Sequence, residues 1–186
     1  MNLIEELKNY CDINNPVGAL MLSGEWGCGK TYLIKTKFIP SVKDTYVFVC
    51  ISLFGIDSLD KLRVEVKKKW LEKASEFDSL NGTKVSRVAD SCRRIFDTIK
   101  DRLPENWQKK GEVVSSIMDL INFMPISNRM FEKKVILVFD DLERTNISCT
   151  DLLGCINDYC ENQGFNTIIV ANEEKIKDRS DNELSY

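Results

Sequence analysis

The chain has 186 residues, of which 43% are hydrophobic and 30% are charged, and this is enough for one substantial core. Its 26 Lys and Arg residues against 29 Asp and Glu residues give a net charge of -3, which leaves no global electrostatic attraction to nucleic acid or anionic membrane. The absence of histidine excludes a nucleophile activated by an imidazole. The first ten residues, MNLIEELKNY, are acidic and amphipathic and do not resemble a secretory signal, so we expect a cytoplasmic protein.

In chain order, the hydrophobic pattern predicts helices that alternate with strands. The predicted helices are Asn2–Tyr10, Thr31–Phe38, a helix from Asp57 or Ser58 to Lys73, and Asp151–Glu161. The predicted strands are Val17–Ser23, Tyr46–Leu53, Val135–Phe139 and Thr167–Ala171. This alternation is typical of a doubly wound α/β fold with a mainly parallel sheet.

Two segments lie outside this alternation. Residues 81–125 have a helical pattern and are interpreted as a helical insertion; their most apolar stretch, Val113–Met124, is interrupted by polar residues and is shorter than the roughly 20 residues that cross a membrane. Glu173–Tyr186 is polar and is predicted to be weakly structured. We expect residues 1–186 to form one domain that is incomplete at its C-terminus, without a further strand after Asn172 and without a lid.

The segment after the first predicted strand has the spacing of a phosphate-binding loop. Gly24-Glu25-Trp26-Gly27-Cys28-Gly29-Lys30-Thr31 fits the pattern G-x-x-x-x-G-K-[ST] at every fixed position. The glycines allow backbone N–H groups to surround phosphate oxygens, and the following helix adds its partial positive charge. We expect Lys30 to reach the β- and γ-phosphates and Thr31 to bind Mg²⁺ through its hydroxyl. The loop residues and the adjoining Tyr32 form the predicted nucleotide site.

A buried strand that ends in two acids supplies the expected second half of this site. Asp140 follows the apolar run Val135–Phe139 and is predicted to hold magnesium through water. Asp141 is the preferred catalytic base, and Glu143 is the rival base, ranked second because we expect it to point elsewhere. Asn172 follows the fourth strand and is a candidate contact for the γ-phosphate; the alternative is that it caps the strand end or begins a turn.

These motifs resemble those of the KAP-type P-loop NTPases, which are related to the STAND and AAA+ ATPases of bacterial conflict and signalling proteins. The resemblance rests on GEWGCGKT, VCISLFGIDSLDKLR, VILVFDDLER and IIVANEEKI, and it extends from Val17 to Lys175 except for the insertion. It implies ATP as the nucleotide and Lys30, Thr31, Asp140 and Asp141 as the phosphate, metal and base residues. Many members have transmembrane helices in the insertion, whereas this insertion has none, so their membrane role does not transfer.

Two functions remain open at this stage. The leading hypothesis is a switch driven by ATP hydrolysis, in an antiviral defence or signalling protein, with slow turnover by the isolated chain. The alternative is an ATP-binding assembly module without useful turnover. Self-association or further domains of a longer chain are the expected partners.

Three other features have a simpler interpretation than the functional one. A basic helix face at Arg63, Lys67, Lys68, Lys69 and Lys73 is interpreted as solvated, so nucleic-acid binding has no support from it. Trp26 is expected to pack against the insertion and not to stack on adenine. Cys28 is interpreted as a small loop residue, and the seven cysteines as reduced thiols.

Overall fold

A computed structural model describes residues 2–81, 126–130 and 132–176. The chain divides into two compact units, of which the first comprises Met1–Leu62 with Ser127–Tyr186 and the second comprises Arg63–Ile126. The predicted insertion at residues 81–125 lies outside the described residues, apart from Asn81 at the end of a helix.

The first unit contains a five-stranded sheet. Its strands are β1 (Leu20–Ser23), β2 (Tyr46–Ser52), β3 (Arg129–Met130), β4 (Lys133–Asp140) and β5 (Asn166–Ala171). β1, β5, β4 and β2 are neighbours in that order and are parallel, while β3 pairs antiparallel with β4. The predicted mainly parallel sheet is therefore confirmed. β3 was not predicted, because two residues are too few to show a periodic pattern.

The helices agree in position with the prediction but are longer. They are α1 (Leu3–Asp12), α2 (residues 30–42), α3 (Leu59–Asn81) and α4 (Cys149–Glu161). We use α2 for a continuous run that is α-helical at Lys30–Tyr32, π-helical at Leu33–Phe38 and α-helical again at Ile39–Val42. Residues 173–176 form a further helical turn, so the prediction of weak structure from Glu173 onwards is wrong for these four residues.

Helices cover both faces of the sheet, which confirms the doubly wound α/β class. On one face α1 and α2 pack on alternate strand residues. The buried members of this core are Leu7, Cys11, Ile34, Phe38, Val42, Tyr46, Phe48, Ile136, Val138, Ile168 and Val170. On the other face Tyr159 of α4 packs against Phe139 and Phe165, with ring centroids 6.2 Å apart in both pairs.

The described part of the second unit is the remainder of α3 from Arg63, together with Ile126. Its basic face contains ion pairs within the helix: Lys69 with Glu72 at 2.9 Å and Lys73 with Glu76 at 2.7 Å. Pairs at this spacing stabilise a helix by a few tenths of a kcal/mol each. The helix ends at Asn81, eight residues past its predicted end at Lys73. None of the described helices is both long and apolar enough to cross a bilayer.

Strand register brings the last residues of the four parallel strands to the same carboxyl edge of the sheet. Ser23 of β1 is opposite Ala171 of β5, and Asp140 of β4 is opposite Val170 of β5 and Ser52 of β2. The loops that follow these strands therefore emerge side by side. In parallel α/β sheets this edge is where ligands bind.

At the opposite edge, side chains from the strands hold the end of α1. Lys134 donates to the carbonyls of Cys11 at 2.9 Å and Ile13 at 2.8 Å, and Asn166 donates to the carbonyl of Tyr10 at 2.8 Å. The last carbonyls of a helix have no partner within the helix. These contacts supply partners for them and thereby attach α1 to β4 and β5.

Burial of Cys11 in this attachment predicts a loss of stability at alkaline pH. Burial, with a smaller contribution from Asp12, raises the pKa of the Cys11 thiol from 9.0 to about 12. The unfolded thiol loses its proton above pH 9 while the folded thiol keeps it, so the free energy of unfolding falls between about pH 9 and 12. Cys11→Ala should reduce this slope by up to about 1.4 kcal/mol per pH unit, the linkage of one proton. Urea denaturation at several pH values measures it; an unchanged slope would contradict the shift.

Candidate functional site

The loop at Gly24–Thr31 connects β1 to α2 at the carboxyl edge of the sheet. Gly27 and Gly29 have φ angles of 79° and 90°, in the left-handed region where a side chain is disfavoured. Gly29 is the N-cap of α2, so the loop leads directly into a helix N-terminus. Backbone N–H groups at such a terminus attract anions.

Lys30 lies across this loop. Its ammonium donates to the carbonyl of Gly24 at 2.5 Å and to the carbonyl of Glu25 at 2.8 Å, and it lies 3.8 Å from the sulfur of Cys28. The loop therefore holds a cation at its centre. A phosphate bound to the backbone N–H groups would lie beside this charge.

Thr31 and Asp140, the two predicted metal ligands, are in direct contact. The hydroxyl of Thr31 donates to Oδ1 of Asp140 at 3.0 Å, and the backbone N–H of Asp141 donates to the same oxygen at 3.1 Å. Asp140 is only 6% exposed. A hydroxyl and a carboxylate held together are the oxygen ligands that Mg²⁺ prefers, so these residues fit a magnesium site.

Lys35 is a contact of Asp140 that the sequence analysis missed. Its ammonium lies 3.3 Å from Oδ2 of Asp140. A signal was present in the sequence, because residues four apart on a helix share a face and Lys35 follows Thr31 by four.

The chain turns sharply after β4. Asp141 has a φ of 63°, and a 3-10 turn at Leu142–Arg144 follows, anchored by the fully buried side chain of Leu142. The carboxylate of Asp141 accepts a hydrogen bond from the hydroxyl of Ser52 at 3.3 Å and lies 3.6 Å from Nε of Arg144. The predicted base is therefore held on the side of the site next to β2.

Glu143 lies on the side next to the phosphate-binding loop. Its carboxylate accepts a hydrogen bond from the indole N–H of Trp26 at 2.6 Å and one from the backbone N–H of Asn172 at 3.2 Å. The expectation that Glu143 points elsewhere is therefore wrong, because the 3-10 turn directs it back towards the loop. The order of preference between Asp141 and Glu143 as the base stays a prediction.

Trp26 and Phe54 both lie close to the guanidinium of Arg144. The guanidinium of Arg144 lies 5.5 Å from the ring centroid of Trp26 and 5.6 Å from that of Phe54. Both rings are more than half exposed. Sequence analysis missed Phe54, since a single aromatic residue in a loop carries no pattern. The expected packing of Trp26 against the insertion concerns residues outside the described ranges.

Asn172 follows the last residue of β5, and its backbone N–H bonds to Glu143. It is 5% exposed, and its side-chain oxygen accepts a hydrogen bond from the backbone N–H of Lys175 at 3.3 Å, so it caps the helical turn at residues 173–176. This contact corresponds to the alternative interpretation, in which Asn172 caps the strand end or begins a turn. Its predicted contact with the γ-phosphate stays a prediction.

A cleft of about 280 Å³ opens between these elements. It is lined by Trp26, Gly27, Gly29, Lys30, Thr31, Tyr32, Asp140, Asp141, Glu143, Arg144, Val170 and Ala171. The lining thus includes most of the predicted site. Among the described residues, the predicted Gly24, Glu25, Cys28 and Asn172 adjoin the cleft through the contacts above without lining it.

Comparison with known proteins agrees with this geometry. Residues 2–185 match the KAP family P-loop domain, which covers nearly the whole chain. A comparison with curated proteins finds no match. A phosphate-binding loop, a buried carboxylate on a neighbouring strand and a family match of this extent lead to one conclusion: the chain belongs to the KAP family of P-loop NTPase domains and is a nucleotide-binding domain.

Proposed function

We propose that this domain binds ATP with Mg²⁺ in the cleft and hydrolyses it, and that hydrolysis acts as a switch. The observation that carries the proposal is the 3.0 Å contact between Thr31 of the phosphate-binding loop and the buried Asp140 of β4. It joins the two motifs that bind phosphate and metal in P-loop NTPases. The choice of ATP over GTP follows the family resemblance.

The residues divide the chemistry between them. The backbone N–H groups of the loop and the ammonium of Lys30 bind the β- and γ-phosphates, while Thr31 and Asp140 hold the metal. Bound Mg²⁺ would neutralise charge on the phosphate oxygens. Asp141 is proposed to orient the attacking water and accept its proton, with Glu143 as the rival.

A switch requires an element that responds to the phosphates. Glu143 is such an element, because it bonds to Trp26 in the loop and to the backbone of Asn172 at the end of β5. A change in the loop would alter both contacts and thereby the helical turn that Asn172 caps. A role in bacterial defence or signalling, self-association and a cytoplasmic location stay predictions from the resemblance and the sequence.

The test measures binding and turnover separately. We expect calorimetry to detect ATP binding that tightens when Mg²⁺ replaces EDTA, and phosphate release to require Mg²⁺. Absence of ATP binding with Mg²⁺ present would contradict the proposal. Magnesium-dependent binding without phosphate release at any protein concentration would instead favour the assembly module.

A further inference from the structure

Lys35 occupies an unusual position for a cation, next to the proposed metal carboxylate. Its ammonium lies 3.3 Å from Oδ2 of Asp140. The other oxygen of the same carboxylate, Oδ1, accepts hydrogen bonds from the hydroxyl of Thr31 and the backbone N–H of Asp141. One oxygen of Asp140 therefore accepts hydrogen bonds, and the other lies next to a positive charge.

The two partners differ in their access to solvent. The side chain of Asp140 is 8% exposed and that of Lys35 is 49% exposed. A buried carboxylate is costly without a compensating charge, so the ammonium of Lys35 offsets part of that cost at Asp140. Because the lysine is half exposed and has a flexible stem, its ammonium can move into water without disturbing the core.

Local helix geometry directs Lys35 towards the site. It follows Thr31 by four residues, and it lies in the π-helical part of α2, Leu33–Phe38. The backbone N–H of Ile39 bonds to the carbonyl of Ile34, five residues earlier. Thr31 and Lys35 thus approach Asp140 from successive turns of one helix, and π-helical segments of this kind are frequent at functional sites.

From these contacts we propose that Lys35 is a built-in counterion that competes with Mg²⁺ for Asp140. Two cations near one carboxylate repel each other, so the metal must displace the ammonium or bind against its charge. Lys35 is a positioning residue, since it acts through Asp140. As a result, ATP binding needs a higher Mg²⁺ concentration than it would need if Asp140 had no counterion. This inference rests on the proposed function, because it assumes magnesium at Asp140.

The test compares Lys35→Met with Lys37→Met, a matched change at an exposed lysine two positions along the same helix. ATP affinity is measured by calorimetry across a Mg²⁺ titration, starting from EDTA. We expect Lys35→Met to lower the half-saturating Mg²⁺ concentration by about tenfold, on the order of one screened charge pair, and Lys37→Met to change it less than about twofold. Lys35→Arg keeps the charge and should behave like the unmodified protein.

Thermal unfolding gives a readout that does not depend on turnover. In EDTA without nucleotide, Lys35→Met should melt at a lower temperature than Lys37→Met, because Asp140 loses its counterion. Mg²⁺ with a non-hydrolysable ATP analogue should remove this difference in melting temperature. If Lys35→Met does not fold, Lys35→Gln, which retains a donor, is titrated in its place and is expected to show the same direction.

Two failures are distinguishable. If the unmodified protein binds ATP equally well in EDTA and in Mg²⁺, the proposed magnesium site itself is wrong. If binding depends on Mg²⁺ but Lys35→Met and Lys35→Gln need as much Mg²⁺ as Lys37→Met, or more, the competition is refuted.

Discussion

Lys30→Ala should lower the affinity for ATP at least about 100-fold and leave the fold intact. The ammonium of Lys30 is positioned at the centre of the phosphate-binding loop by the carbonyls of Gly24 and Glu25. Two charge-assisted hydrogen bonds to phosphate, at about 1.5 kcal/mol or more each, correspond to this factor. Because these bonds lie at the surface of the loop and not in the core, we expect the free energy of unfolding to change by less than about 1 kcal/mol.

Calorimetry with ATP and urea denaturation of the same preparation check both parts. Lys37→Ala is the matched control, since it removes an exposed lysine from the same helix. It separates the effect of a charge in the loop from the effect of net charge on ATP binding. A folded Lys30→Ala protein with unchanged ATP affinity would remove the basis for the nucleotide site.

The Asp141→Asn protein should still bind ATP, but its turnover should fall by a factor of about 10² to 10⁴, the usual contribution of a general base. The carboxylate of Asp141 has weak partners, a hydroxyl at 3.3 Å and a guanidinium nitrogen at 3.6 Å, so it is available to bind water. Glu143 is held by a 2.6 Å bond from Trp26 and a second bond from Asn172. This difference supports Asp141 as the base and Glu143 as a link between loop and sheet.

The matched variant is Glu143→Gln, which also removes one charge next to the cleft. We expect it to lower turnover less than Asp141→Asn does. Steady-state phosphate release under saturating ATP and Mg²⁺ ranks the two variants, and calorimetry shows whether each still binds ATP. If Glu143→Gln abolishes turnover while Asp141→Asn does not, Glu143 is the base.

Two features of the molecule could be predicted from local sequence. The strands β2, β4 and β5 appear as continuous apolar runs because both of their faces are buried. The loop GEWGCGKT is recognisable because its glycines and its Lys-Thr pair meet local backbone and ligand requirements. The α/β class and the predicted phosphate-binding residues follow from these two features.

The contacts within the site depended on the tertiary structure. Strand order brought Thr31 and Asp140, 109 positions apart, to 3.0 Å, and the 3-10 turn after β4 returned Glu143 to Trp26. The contacts of Lys35 with Asp140 and of Phe54 with Arg144 likewise join segments that are distant in the sequence. Local patterns reflect burial and backbone geometry, which depend on nearby residues, whereas the partners of a charged side chain depend on which distant segments pack together.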